Sequence, residues 1–339
     1  MDIRDYLEKL TDKPGVSGSE TELSAALELL KNFCGASTDV LGNTVGSING
    51  GGDIIIDAHA DRIGLIVTGI DKTGFLRVDA CGGADRRVLP AAEVTVWGKE
   101  PLPGVITSVP PHLARSEDKD KAPEFGNIYV DLGLGYGQAC ALVSPGDRIS
   151  VNGPLTDLQD GFVAGAALDD RLGIAVLLRA LELLAEKGSK AGVDVLFSAQ
   201  EETGGSGAKT GAFRSDAPEA IAVDVSFAWA PGIKDSECGE FGKGPMIGFA
   251  PCLSKAVGDA LVKTAKDNGI PYQIEVMGSR TGTNADNIAA SKEGKRVGLV
   301  SVPIRNMHTQ GEIALLEDCE NAAKLIAAYI AGKEAREDA

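Results

Sequence analysis

Histidine, aromatic residues and positive charge are all scarce in this sequence. Only 3 of its 339 residues are histidine, aromatic residues make up 5%, and 33 Lys and Arg stand against 49 Asp and Glu. A formal net charge of −16 repels a phosphate backbone, so we expect no nucleic-acid partner. No apolar run approaches the roughly 20 residues of a membrane helix. The sequence therefore predicts a soluble protein with no membrane partner.

Close-spaced cysteines and an export signal are not evident either. The six cysteines form no close-spaced pair, and the first ten residues, MDIRDYLEKL, contain no apolar core of a signal peptide. Unpaired thiols are typical of reducing compartments. We therefore expect a cytoplasmic protein.

Four apolar runs predict buried strands that alternate with helical patterns. The runs lie at 53–57, 193–199, 220–226 and 297–304. Helices are predicted from near Asp170 to Gly188 and over about 314–331. A capping box of Ser19 and Glu22 predicts a further helix start. Strands that alternate with helices indicate an α/β fold, a mixed sheet with helices on both faces.

The pattern changes between about 65 and 156. Glycine, proline and short β-branched segments dominate there, as in EVTVWGK and PGVITSV, and no amphipathic helix is evident. We predict that residues 65–156 form a small β domain inserted into a catalytic α/β domain made of 1–64 and 157–339. The charged stretch at about 114–126 is predicted to be an exposed loop.

Two adjacent carboxylates, Glu201 and Glu202, follow the apolar run VDVLFSA almost directly. A buried strand that ends in paired like charges needs a positive partner, and a metal ion is the usual one for clustered carboxylates. Other potential ligands lie at or just beyond apolar runs or at the mouth of a helix: His59, Asp61, Asp169, Asp170, Asp224 and His308. His112 lies in the insert and is assigned no metal role.

The residue types in this set indicate which metals they would hold. Mixed histidine and carboxylate ligands suit Zn, Co or Mn better than Ca or Mg. One ion rarely needs five protein ligands, whereas two ions about 3.5 to 4 Å apart share such a set through a bridging carboxylate. The residues therefore favour a two-metal hydrolase.

Each residue taken singly also has a structural interpretation. His59 is compatible with a hydrogen-bonded core position, and Asp169 and Asp170 with the positive end of a helix dipole. Glu201 and Glu202 are compatible with a Lys or Arg partner. These alternatives stay open until the positions of the side chains are known.

The ordered motifs of the chain resemble one known family. AHADRIG, ALDDRLG, QEETGGSGA, AVDVSFA and RNMHTQGE are similar, in this order, to the five metal-site motifs of the glutamyl and tetrahedral aminopeptidases. These are cytosolic two-metal exopeptidases that have also been labelled cellulase-like or endoglucanase-like. PGVSGSE, LGNTVGSI and TGTNADNIAASKEG also match in order, so the resemblance covers nearly the whole chain. It implies a zinc-exopeptidase-like fold, with the insert serving oligomerisation and substrate access.

The resemblance also implies a role for each site residue. Five would ligate two divalent ions per subunit: Asp169 as the shared bridge, His59 and Asp224 in one site, and Glu202 and His308 in the other. Glu201 would be the catalytic general base. Asp61 would orient His59, because a ligating imidazole is commonly fixed by a neighbouring carboxylate.

Two positions depart from the family pattern. Arg62 stands where Glu is common, which changes the charge beside the site. Asn284 stands where Asp is common, with Asp286 two residues later, and the role of that loop is left open.

The predicted function is that of a two-metal aminopeptidase acting on short peptides with a free amino terminus. The ions would activate a water molecule and Glu201 would take its proton. The alternatives are another two-metal amide hydrolase on the same scaffold, a carboxypeptidase or deacylase, or a non-enzymatic metal-stabilised assembly protein. The resemblance further implies a homo-oligomer, a tetrahedral dodecamer.

Overall fold

Two β structures organise the chain: an 11-stranded mixed sheet and a closed barrel. The structure is a computed structural model that describes residues 1–11, 13–20, 24–110, 112–113 and 121–337. The sheet order is β1-β2-β12-β3-β13-β16-β17-β11-β10, with β14 beside β16 and β15 beside β14. The barrel order is β4-β5-β8-β7-β6-β9.

The described strands are β1 Ser37–Thr38, β2 Thr44–Ile48, β3 Ile54–His59, β4 Gly64–Ile70, β5 Leu76–Cys81, β6 Glu93–Trp97, β7 Pro101–Ile106, β8 Tyr129–Asp131, β9 Arg148–Val151, β10 Thr156–Asp157, β11 Phe162–Gly165, β12 Val193–Ser198, β13 Glu219–Phe227, β14 Met246–Phe249, β15 Gln273–Val276, β16 Arg296–Arg305 and β17 Glu312–Leu315. The described helices are α1 Ile3–Thr11, α2 Ser24–Leu30, α3 Tyr136–Leu142, α4 Leu168–Glu186, α5 Ser206–Arg214, α6 Lys255–Asn268, α7 Asn284–Ala289 and α8 Leu316–Glu337. Short 3-10 turns lie at Phe125–Asn127, Gln159–Gly161 and Asp235–Glu237.

The predicted α/β fold is confirmed, and the four predicted strands are β3, β12, β13 and β16. All four lie side by side and parallel in the middle of the sheet. Parallel strands are buried on both faces, which explains their nearly continuous apolar runs. Ile54 and Ile56 pack into the core that includes α1, α4 and α8, whereas Ile55 packs with residues of α5 and α7 on the other face.

The helix predictions differ from the structure at their ends. α4 ends at Glu186, and Gly188 then adopts the predicted left-handed conformation with φ 66°. α8 begins at Leu316 rather than near 314, because Leu315 still belongs to β17. Glu22 of the predicted capping box, and residues 114–120 of the predicted loop, lie outside the described residues.

The barrel strands run from Gly64 to Val151 and enclose a separate apolar cluster that includes Leu65, Val94 and Ile149. Contrary to the sequence pattern, this segment contains a helix, α3. It is only seven residues long and buries one residue, Ala139, so its sequence carries no amphipathic period. In the part of the chain that the structure describes, no helix has the length and hydropathy to cross a bilayer.

A buried arginine ties α4 to the end of α1. Arg171 is fully buried, and its guanidinium donates to the carbonyl oxygens of Leu10 (2.7 Å), Lys13 (2.8 Å) and Pro14 (2.6 Å). These carbonyls lie at or just beyond the last turn of α1, where the helix has no partners of its own for them. Because Arg171 follows Asp169 and Asp170 directly, it also fixes the start of α4.

We predict that Arg171→Met lowers the free energy of unfolding by about 3 to 5 kcal/mol, because several buried carbonyls lose a charged donor. Arg179→Met in the same helix is the matched control. Arg179 pairs with Glu182 and Glu320 near the surface, and we expect its loss to cost about 1 kcal/mol or less. Denaturant unfolding of both variants measures the difference. Equal losses would contradict the role given to Arg171.

Candidate metal centre

The predicted site residues meet at the carboxyl ends of the parallel strands. The residues are His59 at the end of β3, Glu201 and Glu202 just after β12, Asp224 within β13, His308 just after β16, and Asp169 in the first turn of α4. Ala222 pairs with Asp57, so Asp224 and His59 lie two residues further along neighbouring strands. This edge is where open α/β sheets commonly place functional groups.

Asp169 lies at the centre of the cluster. Its Oδ1 is 2.9 Å from Nε2 of His59, and its Oδ2 is 3.2 Å from Nε2 of His308. The two carboxylate oxygens therefore face two different imidazoles. A carboxylate that is shared between two metal positions has this arrangement.

The other predicted ligands extend this core on either side. Oε2 of Glu202 lies 3.4 Å from Nε2 of His308, and Oδ1 of Asp224 lies 4.0 Å from Nε2 of His59. Two groups have ligand atoms within 4.8 Å of one another: His59, Asp169 and Glu202, and His59, Asp170 and Asp224. His112 is exposed in a turn of the insert.

Burial and mutual repulsion shape the charges of the acidic residues. Burial raises the pKa of Glu202, of Asp224 and of Asp170 well above the ordinary carboxyl range, and the carboxylate of Asp169 adds to this for each. Burial also raises the pKa of Glu201. For Asp169 burial acts in the same direction, but the hydrogen bonds from His308 and His59 prevail and lower its pKa. The raised pKa values mean that burying the negative charges of these carboxylates together is unfavourable unless a cation compensates them.

For the two imidazoles, burial lowers the pKa and the neighbouring carboxylates raise it. Burial lowers the pKa of His59, but its bonds to Asp169 and Asp61 outweigh this and raise it well above the usual value. For His308, burial likewise lowers the pKa, while the bond to Asp169 and the charge of Glu202 raise it to about 9. Oε1 of Glu202 is buried and has no hydrogen-bond partner among the described residues. A divalent cation fits this set, because it would compensate the carboxylates and engage the unpartnered oxygen.

Asp61 contacts His59 mainly through its backbone. Nδ1 of His59 lies 3.1 Å from the carbonyl oxygen of Asp61 and 3.5 Å from its Oδ1. The carboxylate itself accepts the backbone N–H of Glu201 at Oδ1 (3.0 Å) and of Glu202 at Oδ2 (3.1 Å). Asp61 therefore holds the Glu201–Glu202 turn as well as the imidazole.

The backbone at Glu201 and Glu202 is not extended, contrary to the expectation that they end a strand. β12 stops at Ser198, Gln200 has a positive φ of 59°, and residues 201–204 form a turn. The side chains of the two glutamates nevertheless differ in surroundings. Glu202 reaches His308, whereas Glu201 makes no hydrogen bond to the histidines in the described structure.

The side chains of Asp170 and Asn284 form hydrogen bonds with residues near the ends of β3 and β12. The carboxylate of Asp170 accepts the backbone N–H of His59 (3.2 Å) and of Gly173 (3.0 Å). Nδ2 of Asn284 donates to Oδ2 of Asp57 (3.0 Å) and to Oγ of Ser198 (2.7 Å), which joins β3 to β12. Asn284, whose role the sequence left open, is thus a buried residue at the start of α7 that joins the two strands, while Asp286 lies in the same helix and is only partly buried.

Glu312 is a site residue that the sequence reasoning missed. It is 1% exposed, and its carboxylate accepts the backbone N–H of His308 (2.8 Å) and of Asp169 (3.1 Å). Burial, with the nearby charge of Asp169, raises the pKa of Glu312 to about 8. The signal was present in RNMHTQGE, where an acidic residue follows His308 by four positions and opens a strand.

Arg62 links the site to the barrel. Its side chain is 6% exposed and donates through Nη2 to the carbonyl oxygen of Val151 in β9 (2.9 Å). Burial lowers the pKa of Arg62, while the charges of Glu312 and Glu202 raise it. The change in charge that the sequence predicted beside the site is therefore a buried cation that interacts electrostatically with Glu312 and Glu202.

The loop after β5 forms a wall of the site. A Cβ at Gly83 would lie 2.6 Å from Nδ1 of His308, and one at Gly82, where φ is 83°, would lie 3.1 Å from Cβ of Glu202. Only glycine allows the backbone to approach the two side chains this closely. The barrel segment therefore contributes to the shape of the site although it supplies none of the predicted ligands.

Buried carboxylates and histidines gathered at the carboxyl ends of a parallel sheet are typical of the metal-dependent hydrolases. The family model for M42 glutamyl aminopeptidases matches residues 42–325. The chain belongs to this family and is a metallo-aminopeptidase.

Known relatives and solved structures agree with this assignment. The chain is 32% identical over 336 residues to the lysyl aminopeptidase of Pyrococcus furiosus, covering 96% of each. It is 34% identical to the aminopeptidase APDkam598 from Desulfurococcus kamchatkensis, with a TM-score of 0.89, covering 97% of this chain and 94% of that one. The TET1 peptidase of Pyrococcus horikoshii, which assembles into a tetrahedron or an octahedral shell, is 32% identical with a TM-score of 0.84, covering 96% and 98%.

We predict that Gly83→Ala lowers both metal retention and kcat/KM by about tenfold or more, since the new methyl group displaces the imidazole of His308. Gly137→Ala in α3 is the control, because a Cβ there meets nothing within 4 Å. Elemental analysis after dialysis, together with hydrolysis of aminoacyl amides, measures both effects. A Gly83→Ala variant as active as Gly137→Ala would show that the loop does not press on His308.

Proposed function

We propose that the chain is a two-metal aminopeptidase that removes amino-terminal residues from short peptides. The observation that supports this most is the position of Asp169, whose two oxygens lie 2.9 Å and 3.2 Å from the imidazoles of His59 and His308. A single ion would not need a carboxylate directed at two separate histidines, whereas a pair of ions would.

Five side chains would hold the two ions: Asp169 as the bridge, His59 with Asp224 on one side, and His308 with Glu202 on the other. Mixed nitrogen and oxygen donors suit Zn or Co, and Mn is compatible. Asp170 also lies near His59, but both of its oxygens already accept backbone N–H groups. We therefore assign Asp170 to positioning the end of β3 and not to ligation.

When bound, the two ions would acidify a water molecule and polarise the scissile carbonyl. Glu201 would hold the proton taken from that water and return it to the leaving amine. Glu201 is only partly buried and makes no hydrogen bond to the histidines among the described residues, so its carboxylate is available to accept and release a proton. Asp61 keeps Glu201 in place through the backbone N–H, and the wall at Gly82 and Gly83 narrows the space beside His308.

We also propose that the chain acts as a homo-oligomer, a tetrahedral dodecamer, in the cytoplasm. In this proposal residues 65–156 form a domain for oligomerisation and substrate access, and 1–64 with 157–339 form the catalytic domain. Two observations support it. The similar TET1 peptidase can assemble into a tetrahedron or a large octahedral shell, and the insert exposes large apolar side chains, namely Val105, Val109, Leu113 and Tyr136. The six unpaired cysteines are compatible with the cytoplasm.

Chelation is expected to abolish hydrolysis of peptides with a free amino terminus, and added Zn or Co to restore it. The reason is that the proposed ligands are histidines and carboxylates, which bind metal only when deprotonated, so retention should also fall at low pH. Activity and elemental content are measured together, with an amino-terminally blocked peptide as the substrate control. Full turnover by metal-free protein would refute the proposal.

The two glutamates are expected to fail in different ways. Glu201→Gln should keep both ions and lose about 10² to 10⁴ in kcat, because the amide has the same shape but cannot accept a proton. Glu202→Gln should lose metal, and excess metal should partly restore its activity. Metal content beside kcat distinguishes the two effects.

Glu293→Gln, an exposed change of the same kind, is the matched control and should behave as the unaltered protein. If Glu201→Gln lost metal while Glu202→Gln kept two ions and lost only kcat, the two roles would be exchanged. If both variants stayed active, the reaction would take place elsewhere.

A further inference from the structure

A second cavity, of about 300 Å³, lies between the end of α1 and the barrel. Its lining includes Lys13 from the α1 side, Arg62 from the segment after β3, and Trp97, Ser150 and Asn152 from β6, β9 and the residue after β9. None of the proposed metal ligands lines it. The cavity is therefore distinct from the proposed metal site, although Arg62 also interacts electrostatically with Glu202 and Glu312.

Arg62, one of the residues that line this cavity, is a buried cation whose hydrogen bonding is incomplete. Arg62 is buried, with 6% of its surface exposed, and its Nη2 donates to the carbonyl oxygen of Val151. Its Nε is buried and has no hydrogen-bond partner among the described residues. The hydrogen bonding of this guanidinium is therefore incomplete, which is costly for a buried cation. Because Arg62 lines the cavity, an anion bound there would stabilise its charge.

Ser150 and Asn152, two neutral residues with hydrogen-bond donors, line the same cavity as Arg62. Ser150 Oγ accepts the indole N–H of Trp97 (3.0 Å), which leaves the serine hydroxyl hydrogen free to donate. Asn152 Oδ1 accepts the hydroxyl of Thr95 (3.0 Å), which leaves its Nδ2 hydrogens available. Both side chains line the same cavity as Arg62, and neither donates a side-chain hydrogen bond to another described residue.

The charge of the cavity contrasts with that of the chain. Lys13 is exposed at its edge, so two cations line it, and none of its described lining residues is acidic. The whole chain has a formal net charge of −16. A basic concavity on so acidic a protein concentrates small anions rather than cations.

We propose that this cavity binds a small oxyanion, a carboxylate or a phosphate group, held by Arg62 and Lys13 with Ser150 and Asn152 as further donors. The cavity is larger than one such group, and the indole of Trp97 with Pro154 forms an apolar side to it. An organic acid would therefore place its charged group at Arg62 and its carbon skeleton along Trp97. This site does not depend on the proposed peptidase mechanism.

Trp97 reports directly on occupancy. The chain has two tryptophans, so Trp229→Phe leaves Trp97 as the sole indole. In that background the fluorescence is titrated with inorganic phosphate, sulfate and succinate at constant ionic strength. We expect a saturable change with at least one of the three, and the tighter of phosphate and succinate identifies an inorganic or an organic source for the oxyanion.

Charge-matched variants assign the binding to the cavity. Lys13→Gln should raise the dissociation constant about fivefold and Arg62→Gln about tenfold or more, since each removes a charged donor. Lys72→Gln, the same change at an exposed lysine outside the cavity, should leave it unaltered. If Arg62→Gln does not fold, Asn152→Leu takes its place, with an expected weakening of several-fold.

Two results would overturn the proposal. One is a fluorescence response that does not saturate with any of the three anions. The other is an equal dissociation constant for Lys13→Gln and Lys72→Gln, which would place the binding elsewhere, for example at metal ions.

Discussion

The compensation of buried negative charge around Asp169 is the constraint on which the rest of the structure depends. Acidic side chains meet there around the imidazoles of His59 and His308, and burial is the largest cause of the raised pKa of Glu202 and of Asp224. Such a cluster is stable only if cations and N–H donors are brought to it. Backbone N–H groups are among these donors. Those of Asp169 and His308 donate to the carboxylate of Glu312. Those of Glu201 and Glu202 donate to the carboxylate of Asp61.

The barrel also contacts the residues of the site. Its Gly82–Gly83 loop lies against Glu202 and His308. In its strand β9, the carbonyl oxygen of Val151 accepts a hydrogen bond from the buried guanidinium of Arg62. Arg62 in turn interacts electrostatically with Glu202 and Glu312, so the barrel and the strand ends share one electrostatic environment. A change in the barrel that moved β9 would therefore alter the charge felt by the site.

Sequence reasoning located the main strands, and several of the polar residues that meet at their carboxyl ends, for a single physical reason. Parallel strands buried on both faces read as apolar runs, and a polar residue at the end of such a run has to lie at the carboxyl edge of the sheet. His59 and Asp224 were identifiable in this way. Glu312 was missed because it opens β17 instead of ending an apolar run, and its carboxylate accepts backbone N–H groups.

The same limit explains the difference at Glu201 and Glu202. Their proximity to a strand suggested extended backbone, but the turn depends on two N–H groups donating to Asp61, some 140 residues earlier in the chain. The fold class, the acidic charge and the identities of the chemical groups were thus determined by the sequence. Which oxygen faces which histidine, and which cation lines which cavity, were decided by tertiary packing, because these contacts join residues far apart in the chain.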